Sequence, residues 1–246
     1  LDDMGIINWG GNTVTVSGTQ TIGQLRVGQD EVGNLVVANG GSLTTDGSGA
    51  QNGRLTLGQG NNSVGTGTMD VQSGGTVTVG DILFNGNKAN GTANISGTVN
   101  VGAHLWTGWN SGVTGTYNVN NGGVLNVDGQ LGLNWQNNGG IGLMNVNDGG
   151  VVNLDHWDAT QSIQGDSVLT INDGGTLTIG GDRVAEAGAY FGGGFIASDL
   201  GFIEATFDGG SNTTTIIASA IPEPATIGLV AAFGGGMVFM RRRFKR

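Results

Sequence analysis

The chain has no cysteine, only two prolines among 246 residues, and just 11% charged residues. The missing cysteine removes a disulfide framework, a thiolate zinc site and a thiol nucleophile together. Histidine is nearly absent too: with only His104 and His156, no histidine cluster for metal binding or nucleophilic chemistry can be assembled. Sparse charge beside regularly spaced Val, Leu and Ile argues against a charge-swollen disordered chain. Glycine is what the chain has in excess: 51 residues, about a fifth of the total, roughly three times ordinary usage. No strict triplet period with proline accompanies it, which excludes collagen. Glycine and β-branched residues both disfavour long helices, so the composition predicts an all-β protein.

Charge is unevenly placed. Residues 1–224 hold four basic residues against 19 acidic ones, a balance of −15, while the last six residues carry +5. An acidic body repels phosphates, so nucleic acid is not an expected partner.

Self-similarity is the second strong signal. The segments MDVQSGGTVTVG (Met69–Gly80), YNVNNGGVLNVD (Tyr117–Asp128), MNVNDGGVVNLD (Met144–Asp155) and LTINDGGTLTIG (Leu169–Gly180) align without a gap. LVVANGGSLTTD (Leu35–Asp46) is a degenerate copy, and ANISGTVNVG (Ala93–Gly102) has a shortened turn. The series Val14, Leu43, Val77, Val99, Leu125, Val152 and Leu177 recurs about every 27 residues, within the range of stacked solenoid units. In each copy apolar residues alternate with polar ones on both sides of a Gly-rich turn, the mark of strands with one buried face. A third short strand is expected at Leu25 and Val27, Leu55 and Leu57, near Leu83, near Leu105, and at Leu131 and Leu133.

Units this small cannot close a core alone. Stacked at about 4.8 Å, they predict a parallel β-helix of about seven coils over residues 1–180. The competing fold is a β-sandwich of hairpins, because NG and DG are also hairpin signals. In the stacked arrangement Thr78, Asn100, Asn126, Asn153 and Thr178 share one outward column whose amides can bond from coil to coil. Residues 181–215, with Tyr190, Phe191, Phe195, Phe202 and Phe207, break the repeat and are expected to cap the last coil. Residues 216–224 then form a linker.

Parallel β-helices include polysaccharide lyases and hydrolases, so catalysis has to be weighed. The body offers Arg26, Arg54, Lys88 and Arg183 as bases, none within a local motif. Asp128 with Asp155, and Asp148 with Asp173, occupy matching positions of neighbouring copies; paired carboxylates can hydrolyse glycosides, but recurrence with the repeat fits turn geometry first. Asp155, His156 and Asp158 read as a solvated loop, and no cofactor or metal site is expected. Trp109, Trp135 and Trp157 lie at loop positions separated by 26 and 22 residues. They are candidate carbohydrate contacts if they line one side, or else packing groups that shield loops.

The C-terminal segment carries an address. Ala225 to Met240 is a run of 16 residues without charge, preceded by Ile221, Pro222, Glu223 and Pro224 and followed by RRRFKR. As a helix it spans about 24 Å, somewhat short of the roughly 30 Å hydrocarbon core. Arg241, Arg242, Arg243, Lys245 and Arg246 fit a membrane stop with the positive end inside. The IPEPAT string, the short apolar run and the basic end together resemble the PEP-CTERM sorting signal of Gram-negative bacteria. That resemblance covers residues 221–246 and implies export and transient membrane insertion of 225–240 with 241–246 in the cytoplasm. It also implies recognition by an exosortase-type enzyme and cleavage near Pro222, Glu223 and Pro224. Members of that family start with a secretory leader; none precedes Leu1, so the leader is expected to have been removed or the sequence to be a fragment. The combined expectation is a non-catalytic structural or adhesive solenoid at the cell surface or in the extracellular matrix. Extracellular polysaccharide is a candidate partner, and a carbohydrate-binding module or a polysaccharide-degrading β-helix enzyme is the alternative.

Overall fold

A computed structural model describes residues 3–8, 10–46, 53–60, 65–158 and 162–220. The IPEPAT string, apolar run and basic end at 221–246, on which the expected sorting signal and membrane insertion rest, lie outside the described residues. Among the described residues no helix is long and apolar enough to cross a membrane.

The chain winds as a succession of three short strands per turn, giving a parallel β-solenoid of about seven turns. Three faces result. The first is built from segments such as Gly33–Val37, Gly67–Val71, Gly91–Ile95, Thr114–Val119 and Ile141–Val146, each pairing in parallel with the next. The second stacks Ser42–Thr45, Thr76–Val79, Thr98–Val101, the start of Val124–Leu133, and Val151–His156. The third stacks Gln24–Val27, Leu55–Leu57, Leu83–Asn85, Leu105–Thr107 and the end of Val124–Leu133. The expected third strand is therefore present, and strands of successive turns superpose instead of pairing as hairpins.

Alternation sorts each strand into inward and outward residues. The inward columns are Leu35, Met69, Ala93, Tyr117, Met144 and Leu169 on the first face, and Leu25, Leu55, Leu83, Leu105 and Leu131 on the third. All of these are buried in one continuous core. On the second face the inward column runs Leu43, Val77, Val99, Leu125, Val152, Leu177. Its first member is Gln20, opposite Leu43, and not Val14, which pairs with Leu35 on the first face. A polar residue occupies the exposed start of that column, so a search for apolar recurrence passes over it and settles on the neighbouring TVTV.

Outward amides form the expected ladder. Asn126 Nδ2 donates to Asn100 Oδ1 at 2.8 Å, and Asn153 Nδ2 donates to Asn126 Oδ1 at 2.8 Å. Two more ladders flank it: Asn94, Asn118 and Asn145, and Asn120, Asn147 and Asn172, with each amide donating to the one a turn before. Each link supplies a coil with a hydrogen bond outside the backbone.

The corner from third to first face needs a left-handed backbone. Gly28, Gly58, Gly86 and Gly108 occupy it with φ of 70°, 70°, 72° and 62°, and Asn134 takes the same place with φ 56°. Their N–H groups bond the previous turn in one pattern: Gly58 to Val27, Gly86 to Leu57, Gly108 to Asn85 and Asn134 to Thr107. A Cβ on Gly86 would lie 2.7 Å from the Gly115 nitrogen.

Beyond Gly180 the repeat ends. A helix, Val184–Gly192, buries Ala187 and Tyr190, and Ile196–Ser198 adds a last parallel strand to the first face. The strands Gly201–Asp208 and Thr213–Ala220 then form an antiparallel hairpin laid along Thr176–Gly180. The reversal of direction covers the open edge of the second face. Asp208 accepts from the Gly210 N–H and the Ser211 hydroxyl, which hold its carboxylate below the usual range. The final strand runs through the 215/216 division expected from the sequence.

Candidate functional site

The outward column of the third face departs from the Thr and Asn of the other faces. It reads Arg26, Thr56, Phe84, Trp106, Gly132 in register. Trp106 is outward because its neighbours Leu105 and Thr107 are both buried. Just past the corner, Trp109 follows Gly108 and Trp135 follows Asn134, so the 26-residue spacing of these two tryptophans is one turn of the solenoid. Both therefore arrive beside Trp106.

The result is an aromatic cluster. Trp106 and Trp109 stack with centroids 4.7 Å apart at 28°, and Trp106 and Trp135 with centroids 6.2 Å apart at 20°. His104 stacks on Trp106 at 5.3 Å and 9°. Phe84, one turn earlier, meets Trp106 and Trp109 edge-on at 5.2 and 5.7 Å. Gly132 makes room for the last indole: a Cβ there would lie 3.0 Å from both Trp106 Cδ1 and Trp135 Cε3. The three indoles and His104 are half-buried.

Polar groups rim the cluster. Arg54 bonds Asp81 at 3.0 Å and sets its guanidinium 5.7 Å from the Phe84 centroid. His104 Nδ1 accepts from the Gln130 N–H at 3.1 Å, so in the neutral ring the proton lies on Nε2. Asn87 Nδ2 donates to Gln59 Oε1 at 2.9 Å, and Asn110 Nδ2 to Asn87 Oδ1 at 3.1 Å. The indole N–H of Trp106 is shielded and has no partner.

Trp157 does not belong to this group. It lies before the third face, not after it, which is why its spacing is 22 and not 26; it is 2% exposed and meets Tyr190 edge-on at 5.1 Å. Of the three expected tryptophans, two come together and one is a packing group beneath the cap. Trp106 and Phe84, the centre and lower edge of the cluster, were not singled out from the sequence. The signal for them was strand alternation: each sits between two inward residues of a third-face strand.

The other candidates disperse. Asp128, Asp148, Asp155 and Asp173 are all exposed. Asp148 and Asp173 lie in the turns between first and second faces, and the Asp173 N–H donates to Asp199. His156 is exposed opposite Gln130, and the Asp158 carbonyl accepts from Tyr190 Oη at 3.2 Å, so this loop anchors the cap helix. Arg54 and Arg183 are paired, with Asp81 and Glu186; Lys88 is exposed. Among the described residues no group of three or more His, Asp or Glu is placed to hold a metal ion.

Clefts among the described residues lie elsewhere. One, of about 460 Å³, lies between the cap helix and the sixth turn, lined by Ile163, Gln164, Glu186, Tyr190 and Phe195. Another, of about 580 Å³, lies at the first turn against Ile6, Asn8, Val14, Asp30 and Glu31. Neither brings a nucleophile beside a base. The aromatic cluster lies on an open face, a geometry suited to stacking against an extended ligand and not to enclosing a small one. The chain matches no protein-family model, no curated protein and no solved structure.

Proposed function

We propose that the chain is an exported, non-catalytic solenoid with a structural or adhesive role at the cell envelope or in the extracellular matrix. The observation that carries this reading is the stack of about seven turns whose described flanks are amide ladders, turn residues and one aromatic cluster, with no convergent acid, base and nucleophile among the described residues. Such a surface is stiff, repetitive and suited to lateral contact. Delivery rests on the resemblance of residues 221–246 to a sorting signal. The run 225–240 inserts in the membrane, and Arg241, Arg242, Arg243, Lys245 and Arg246 hold its end in the cytoplasm. An exosortase-type enzyme then cuts near Pro222, Glu223 and Pro224.

Mass spectrometry of the protein from its native source tests the delivery. A mature end near residues 222–224 supports it, and joint replacement of Pro222, Glu223 and Pro224 by Ala leaves uncut precursor in the membrane fraction. An intact Arg246 in the surface product overturns cleavage. Degradation of an acidic polysaccharide by the purified chain, abolished by Asp128→Asn or Asp155→Asn, replaces the non-catalytic reading with an enzymatic one.

A further inference from the structure

We propose that the outer surface of the third face, centred on Trp106, Trp109 and Trp135, binds a neutral polysaccharide. The proposal rests on the adhesive reading and names what the solenoid adheres to. Three of the four described tryptophans gather on this one face, although the core is already filled by aliphatic columns and needs no aromatic cover from outside. Elsewhere the outward positions are filled by residues such as Thr78, Asn100, Asn126 and Asn153, so large rings are not a general requirement of an outward column.

The arrangement suits pyranose rings. Trp106 is stacked against Trp109 and His104, so the ring surface open to a sugar is the outer side of the half-buried Trp109 and Trp135, which offers an apolar contact for sugar C–H groups, while sugar hydroxyls need polar partners at the rim. The rim supplies them. His104 Nε2 is a donor by virtue of the bond at its other nitrogen, Asn110 follows Trp109 directly in the chain, and Arg54, beside Phe84, carries Asp81 with it. Phe84 is buried and floors the cluster, and the half-buried rings from Trp106 and Trp109 to Trp135 cross one inter-turn step, about 5 Å along the axis, the length of about one sugar ring.

Charge selects among polysaccharides. The balance of −15 over residues 1–224 disfavours uronate or sulfate polymers, and Arg54, the cation beside Phe84, is already matched by Asp81. A neutral glycan meets no such penalty. Gly132 is a positioning residue: its missing side chain lets Trp135 lie against Trp106.

The test is affinity electrophoresis and titration calorimetry of the full chain with mixed-linkage β-glucan, glucomannan and xyloglucan, with alginate as the anionic control. At least one neutral polymer binds and alginate does not. Trp109→Ala and Trp135→Ala each weaken binding roughly tenfold, and Gly132→Ala weakens it while the urea midpoint shows the variant still folded. Trp157→Phe serves as the contrast, leaving affinity unchanged. Failure of the parent to bind any neutral polymer, or equal affinity in the Trp109→Ala/Trp135→Ala double variant, overturns the proposal. So does preference for alginate. If binding fails while the processed protein is still found at the surface, the structural reading stands without its ligand; if binding holds but the protein is never exported, the reverse is true.

Discussion

Tyr117 places a phenol in the middle of an aliphatic column, with no part of it exposed. Neither its hydroxyl nor that of Thr107 has a well-formed hydrogen bond. Burial pushes the phenol well above its usual pKa of 10.0, and the neighbouring Thr107 hydroxyl offsets only part of that. Tyr190, partly buried under the cap, shifts in the same direction, again mainly through burial. The sign of the consequence is fixed by linkage: below about pH 10 both states keep the proton, and above it the unfolded chain loses its proton first, so stability falls as pH rises. Tyrosinate absorbance and circular dichroism are expected to change together in a single alkaline transition, and Tyr117→Phe moves that transition to higher pH. Because two polar groups face each other poorly paired, Thr107→Val/Tyr117→Phe is expected to match or exceed the parent in urea denaturation. At the same scale, Asn126 both gives and receives a ladder bond. Asn126→Ala is expected to cost about 1–2 kcal/mol by the same measurement. The amide column was legible in advance because identical residues recur at one offset from the apolar pair. Trp106 was not, because its strand is only three residues long and a single outward ring leaves no period to detect.

Corners, more than strands, set where each element begins. The third-to-first corner demands positive φ five times in succession, met four times by glycine and once by Asn134, the other residue that tolerates this region. Gly86→Ala adds both backbone strain and a clash with Gly115, and is expected to cost roughly 2–4 kcal/mol in urea denaturation. Asn134→Gly keeps the conformation and is expected to change stability by less than about 1 kcal/mol. These expectations reverse if the corner is held by side-chain contacts and not by the backbone. The first and second strands of each unit were readable because their glycine turn and apolar alternation repeat together. The corner glycine recurs just as faithfully, after Val27, Leu57, Asn85 and Thr107. It was masked by the general abundance of glycine and by the changing length of the loops that follow it. Register suffered for a related reason: Gln20 holds an inward position at the exposed start of the core, where burial no longer demands an apolar side chain.

Among the described residues, the later end of the solenoid is closed by a helix and a reversed hairpin, whereas Met4, Ile6 and Val14 of the first described turn are 44–48% exposed. Since each turn is stabilised by its neighbours, protection should follow position. In hydrogen-exchange mass spectrometry, amides of Gly91–Ile95, Thr98–Val101 and Thr114–Val119 are expected to exchange slowest and those of Thr13–Val16 and Thr19–Ile22 fastest. Leu83→Ala, in the centre of the leucine column, is expected to cost about 2–5 kcal/mol. Sequence spacing conveyed this architecture well, because stacking writes itself into the chain as recurrence. The cap was legible only as a break in recurrence; its reversed hairpin has no repeated partner to betray its direction.

The uniform corner also has a bearing on how such a chain can change in size. Any turn begins and ends at equivalent backbone positions, so a tandem duplication of one unit presents its neighbours with the same junctions they had before. The molecule can therefore grow or shrink by whole units through slippage of its coding sequence, without redesign of the closing helix and hairpin.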